Sequence, residues 1–228
     1  MKTDGICAVI SGDIVDSRRF SDRGPALRDA IADAYRQCAE AFDEALGGMP
    51  RVDIFAGDSW QMMTCSPVPA LRVGLCMRAL LKSREDLPKV DTRISIGIGS
   101  VDFVDQDSLS QSQGEAFMLS GEALDRLREE SVRMAVAVPN ALRGNGDEQL
   151  LDLQETLDMM LVLIDAICKD WTARQSAIVS RALMGRTQVR IAEEMAISQP
   201  AVSQMLDAAK WSAVDNALDW WQRTASSL

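Results

Sequence analysis

The sequence predicts an α+β fold: a β-α-β-β-α-β unit over the first two thirds of the chain, then an all-helical domain. Three observations carry this. Four runs have strand length and strand composition: 6–14, 52–56, 59–63 and 93–103. Two segments between them repeat apolar residues at helical spacing, Leu27, Ala30, Ile31, Ala34, Cys38 and Phe42 in one and Leu71, Leu75, Met77 and Leu80 in the other. From Thr172 onward the pattern is helical throughout.

Each element has its own local reason. The first run is rich in Val and Ile and ends in Gly12-Asp13, so a buried strand is expected rather than a helix. A polar turn, 16–19, follows; Ser21 or Asp22 can cap the first helix, with Pro25 in its first turn and Gly47-Gly48 as its stop. Gly57-Asp58 between two strand-like runs is a tight hairpin signal. Pro67 and Pro69 open the second helix, and Pro88 lies beyond its end. The run 93–103 reads as a central strand whose glycines permit close approach of a backbone or ligand. A helix over 113–130 and a strand over 132–138 extend the sheet. The β-α-β-β-α-β order is that of a ferredoxin-like unit, and it makes the first and third strands central neighbours. Arg143-Gly144-Asn145-Gly146 reads as a turn or linker. The apolar stretch 150–167 is helical, and it serves to pack on the body, to bridge to the tail or to pair two subunits. The expected domains are therefore 1–146, a connecting helix over 147–168, and 169–228.

Composition narrows the chemistry. With 228 residues, 47% hydrophobic and 25% charged, the chain is an ordinary globular protein with room for one large or two modest domains. No apolar run approaches the roughly 20 residues that span a bilayer. The start, Met1-Lys2-Thr3-Asp4-Gly5, lacks a signal-peptide pattern, so a cytoplasmic location away from membranes is expected. The five cysteines are scattered without a CxxC pair, as free thiols in a reducing compartment would be. The chain has no histidine. That excludes Ser-His-Asp and Cys-His catalysis and His-ligated zinc, and leaves carboxylates with Mg²⁺ or Mn²⁺, lysine or thiols. Net charge is −10 but uneven: residues 1–165 carry 17 Lys and Arg against 28 Asp and Glu, whereas 166–228 carry 7 against 6. An acidic body argues against wholesale coating of nucleic acid, while the near-neutral tail permits a small DNA contact.

Two aspartates then stand out. Asp13 ends the first strand and Asp58 sits at the hairpin tip, so the topology sets two carboxylates at neighbouring strand ends. Both types also favour turns for local hydrogen bonding. As a functional pair they would hold Mg²⁺ (or Mn²⁺), with the Ile14 carbonyl as a third protein ligand and substrate phosphate and water completing the octahedron. The turn into the first helix offers backbone N–H groups and a positive helix end for phosphate, joined by Ser17, Arg18, Arg19 and Gly57.

Four stretches in order resemble the SatD family of small bacterial proteins: AVISGDIVDSR (Ala8 to Arg18), AGDSWQ (Ala56 to Gln61), ISIGIGS (Ile94 to Ser100) and GEAFMLSGEAL (Gly114 to Leu124). The same layout over roughly residues 5–138 resembles the palm of class III nucleotide cyclases and GGDEF-type diguanylate cyclases. That resemblance implies metal-binding roles for Asp13 and Asp58. It also implies a catalytic arginine at Arg126, four residues after the place where cyclases often carry Asn and this chain has Glu122. A carboxylate there would repel a triphosphate or read a different group.

The tail has its own motif. Thr187 can cap a helix over Val189, Ala192 and Met195; Ala196-Ile197-Ser198 makes a short turn; Ser198 caps a second helix with Val202, Met205 and Leu206 inward. This helix-turn-helix signature resembles the DNA-binding helices of sigma-factor region 4. It implies Gln199, Ser203 and Gln204 at base edges and Arg186, Arg190 and Lys210 on phosphates of double-stranded DNA. Trp211, Trp220 and Trp221 are expected to pack the last helix onto this module. The expectation is a homodimeric transcriptional regulator that responds to a nucleotide or other phosphate ligand. The alternative is an active nucleotidyl cyclase or nucleotidyltransferase acting on NTPs.

Overall fold

A computed structural model describes residues 5–43, 52–55, 57–105, 108–142 and 152–228. The expected helix stop at Gly47-Gly48, the linker 143–146 and residue Ala56 of the hairpin lie outside them.

The chain forms a five-stranded mixed sheet with helices on both faces. The strands are β1 (Cys7–Ile14), β2 (Asp53–Phe55), β3 (Ser59–Thr64), β4 (Thr92–Gly99) and β5 (Met134–Ala137), in the order β2-β3-β1-β4-β5. The central strand β1 is antiparallel to β3 and to β4, and β5 joins β4 in parallel. A parallel neighbour needs a crossover, supplied here by helix α3 (Glu115–Glu129). The sheet helices α1 (Gly24–Ala41) and α2 (Ala70–Lys82) match the two expected apolar periods. Two differences from expectation bear on the site side of the sheet. Helix α1 starts at Gly24 without a side-chain cap from Ser21 or Asp22. Strand β4 ends at Gly99, and Phe103 instead pairs in an isolated bridge with Gln113.

Every residue of β1 is buried, and its alternation divides the interior in two. Ala8, Ile10 and Ile14 join the large core under α1 and α2. Cys7 and Val9 join a small cluster with Met63, Val101, Val104, Leu109 and Ala116 beneath α3. Helix α3 lies close to the sheet because β4 has no side chain where it passes: a Cβ on Gly97 would lie 2.2 Å from the Ala116 carbonyl oxygen.

Five helices follow one another to the C-terminus: α4 (Leu153–Asp170), α5 (Ala173–Leu183), α6 (Gln188–Met195), α7 (Gln199–Ala208) and α8 (Trp211–Ala225). Thr172 and Gln175 cap α5 reciprocally, and Thr187 and Ser198 cap α6 and α7 through their hydroxyls. These helices share the large core with the sheet domain, which runs without a break from Ala8 to Ala225. Trp221 is buried against α2's entry loop and donates its Nε1–H to the Pro67 carbonyl at 3.2 Å. Trp211 and Trp220 are partly buried against the same core. Cys7, Cys38, Cys76 and Cys168 are buried thiols; burial pushes Cys168 up to about 12, where it is inert at neutral pH. No helix among the described residues is long and apolar enough to cross a membrane.

Candidate functional site at the end of the central strand

Asp13 and Asp58 lie on adjoining strand ends. Asp13 lies opposite Ser59 in the β1–β3 ladder, and the Ile14 N–H donates to the Asp58 carbonyl oxygen at 3.0 Å. The turn that carries Asp58 is made by Gly57 at φ +82°, a left-handed conformation that a side chain would strain. Asp58 is half-buried and accepts a 3.4 Å hydrogen bond from the Ser59 hydroxyl.

Asp13 is 6% exposed and faces α3, and two arginines hold its carboxylate. Arg93 Nη1 reaches Oδ1 at 3.1 Å, and Arg128 Nε reaches Oδ2 at 2.8 Å. Arg93 is Asp13's direct partner across the β1–β4 ladder and is steadied by the Leu127 carbonyl at 3.0 Å. Arg128 is different: nearly half of its side chain is exposed, and it also pairs with Asp125 at 2.6 Å. The hydrogen bond to Asp13 raises the Arg128 pKa further, and the charges of Asp13, Asp125 and Asp58 act in the same direction. The guanidinium thus bridges Asp13 and Asp125, and Asp58 is close enough to add to the same field.

A polar strip runs from this point along the sheet under α3. Gln61 Nε2 donates to Ser11 Oγ at 3.0 Å, Ser120 Oγ donates to Ser11 Oγ at 2.8 Å, and Ser95 Oγ donates to the Ser120 carbonyl at 2.7 Å. Gln61 Oε1 is buried without a hydrogen-bond partner among the described residues. An orphaned acceptor beside a carboxylate pair is a place where a ligand donor would gain a bond.

The other expected site residues go elsewhere. Arg126 does not reach Asp13. It lines a cavity of about 420 Å³ with Glu130, Gln154 and Asp158, on the side of β5 and α4. Helical geometry explains the exchange: Arg126 and Arg128 are two residues apart, so they point to opposite sides of α3. Arg18 and Arg19 are exposed on a 3-10 turn over Ser17–Arg23; Ser17 is half-buried, and Arg19 lies 5.9 Å above the Phe20 ring rather than at Asp13. Glu122 is exposed. Sequence reasoning missed Arg93 and Arg128. Once β1 and β4 are neighbours, Arg93 follows from register.

The carboxylate pair can be tested as a cation site. Among the described residues no three Asp, Glu or Cys side chains converge as a metal cluster. What the strand ends do offer is two aspartates on adjoining backbone, and Mg²⁺ commonly takes one or two protein carboxylates. Both Asp13 oxygens are held by guanidinium groups, Oδ1 by Arg93 and Oδ2 by Arg128, so a cation would reach this carboxylate only if the half-exposed Arg128 withdrew.

In the tail, α6 and α7 are joined by Ala196 in the left-handed conformation at φ 51°. Gln199 and Gln204 are exposed and Ser203 is half-buried, while Gln199 Nε2 donates to Gln188 Oε1 at 2.6 Å. Arg190 pairs with Glu193 at 3.4 Å and Glu194 at 3.0 Å, and Arg186 approaches Glu194 at 3.9 Å. Lys210 is exposed at φ 58°.

No known family model matches the chain, and no curated protein matches it. Two solved structures of a bacterial light-regulated adenylyl cyclase overlap with it in part. One is 15% identical with a TM-score of 0.37 over 57% of this chain and 42% of that one. The second is 14% identical with a TM-score of 0.38 over 58% and 42%. The chain thus spans less than half the length of those cyclases, and the functional case rests on its own residues.

Proposed function

We propose that the sheet domain, a ferredoxin-like palm, binds Mg²⁺ and a nucleotide at its strand-end site and supports nucleotidyl transfer of the cyclase type. The observation that carries the reading is that Asp13 and Asp58 lie on adjoining strand ends, with the half-exposed Arg128 guanidinium on Asp13. The chemistry is attack of a hydroxyl on the α-phosphorus of a nucleoside triphosphate with release of pyrophosphate. Asp13 and Asp58, with the Ile14 carbonyl, would hold the cation, which when bound supplies Lewis-acid charge at the reacting phosphate. Arg93 keeps the Asp13 carboxylate oriented through its own bond to the Leu127 carbonyl. Arg128 covers Asp13 in the resting arrangement and would have to leave it for the cation to bind. The test is incubation with each NTP and Mg²⁺ or Mn²⁺, followed by chromatography. Pyrophosphate and a new nucleotide that disappear in Asp58→Ala support the reading; no turnover, or turnover equal in Asp58→Ala, removes it.

A second reading, a ligand-responsive regulator that docks on double-stranded DNA through a helix-turn-helix of α6 and α7, has one observation in its favour. The start of α7 is exposed, with Gln199 at its first position. Against it, Arg186 and Arg190 are already paired with Glu193 and Glu194. Salt-dependent binding to bacterial DNA that weakens on Gln199→Ala supports this reading, and its absence removes it.

A further inference from the structure

A second concentration of charge lies away from Asp13, where α2, β4, α4 and α5 meet. Its centre is Arg78, fully buried, whose Nε and Nη2 bind Asp91 at 2.7 and 3.0 Å and whose Nη1 binds Asp165 at 2.7 Å. Arg133 Nη1 also reaches Asp91 at 2.5 Å, Lys82 Nζ lies 3.6 Å from Asp91, and Lys169 Nζ lies 2.8 Å from Asp165. Two carboxylates therefore answer four cations, Arg78, Lys82, Arg133 and Lys169.

A cavity of about 630 Å³ opens on this excess. Lys82, Arg133 and Lys169 line its inner part, and exposed Arg19 and Lys89 stand at its mouth. Neither mouth residue has a carboxylate partner among the described residues. Lys89 is held at φ 61°, a conformation that lysine adopts at a cost. Two more groups line the wall. Arg84 is satisfied by Asp33 and Asp86, and Glu85 together with Asp91 opposes the cations. Thr172 and Ala173 bring the positive end of α5, an 11-residue helix, to the same space. In a chain of net charge −10, so local a positive excess inside a concave pocket asks for an anion. The volume is that of a small-molecule site.

We infer that this cavity binds a phosphate-bearing small anion, held by Lys82, Arg133 and Lys169 inside and by Arg19 and Lys89 at the mouth. The site is independent of the strand-end pair, since Asp13, Asp58, Arg93 and Arg128 do not line it. A ligand here touches α2 and the loop before β4 together with the α4–α5 junction, so it would brace the C-terminal helices against the sheet.

Calorimetric titration of the full chain with inorganic pyrophosphate, in EDTA and at near-physiological salt, tests this. Saturable binding of one pyrophosphate per chain is expected. It should weaken about tenfold or more in the double variant Arg19→Glu/Lys89→Glu, as loss of charge-assisted contacts demands, and stay within about twofold in Asp13→Asn. Absence of saturable binding, equal affinity in the double variant, or loss of binding in Asp13→Asn would each overturn it. The metal-free condition and the Asp13→Asn arm separate this outcome from that of the strand-end site.

Discussion

Asp13, Asp91 and Asp165 are the buried aspartates among the described residues, and the first two differ in how their partners hold them. Asp13 keeps one partner fixed and one exchangeable: Arg93 comes from the ladder, Arg128 from a half-exposed helix position. Asp91 has no exchangeable partner. Burial alone would raise its pKa, but Arg78, Lys82 and Arg133 override that and hold it at about 2 against an ordinary 3.8. The sign is definite. Between pH about 2 and 4 the unfolded chain binds the proton and the folded chain does not, so stability is complete above this window and falls as pH drops through it. The loss due to Asp91 is on the order of 2 kcal/mol. Urea melts at pH 6 and pH 3 check it. Asp91→Asn should destabilise the protein at neutral pH by about 3 kcal/mol, because Arg78 and Arg133 lose a charged partner, and it should flatten the acid dependence.

At the scale of elements, the approach of α3 to the sheet sets the site. Helix α3 brings Arg128 to Asp13 because Gly97 leaves no Cβ between β4 and Ala116 or Ser120. Gly97→Ala would place that atom 2.2 Å from the Ala116 carbonyl oxygen and 2.4 Å from the Ser120 amide, so the helix must move. A loss of about 1–3 kcal/mol in chemical denaturation is expected, with weaker hold of Arg128 on Asp13. Much of this layer could be read from the residues. The apolar periods of α1 and α2 and the strand β1 were legible because burial on regular elements leaves periodic traces. That Asp13 and Asp58 lie on adjoining strand ends was legible because strand order places those ends together. Arg128 was not, since choosing it over Arg126 requires the rotation of α3 about its axis, which is set by packing on Gly97 and not by spacing. The cavity at Lys82 and Lys169 was also hidden, because its cations come from segments far apart in sequence.

For the molecule as a whole, one core unites the sheet and the C-terminal helices. Trp221 is 1% exposed and hydrogen-bonds to Pro67, Arg72 of α2 pairs with Asp215 of α8 at 3.3 Å, and Trp171 Nε1 donates to the Ala209 carbonyl at 2.8 Å. The tail is therefore expected to unfold with the sheet. Thermal melts followed by far-ultraviolet circular dichroism and by tryptophan fluorescence should coincide. Trp221→Ala should lower stability by about 3–5 kcal/mol and keep one transition. Two separated transitions would show that the tail folds as a unit of its own.

The claim on which the functional account stands is that Arg128 holds the place of a cation on Asp13, at the strand end that adjoins Asp58. Calorimetry of Mg²⁺ with a nucleoside triphosphate, on the native chain, Arg128→Ala and Asp13→Asn, tests it most directly. The account predicts tighter Mg²⁺-dependent binding in Arg128→Ala, where the competing guanidinium is gone, and no such binding in Asp13→Asn. Binding that is the same in all three proteins would contradict it.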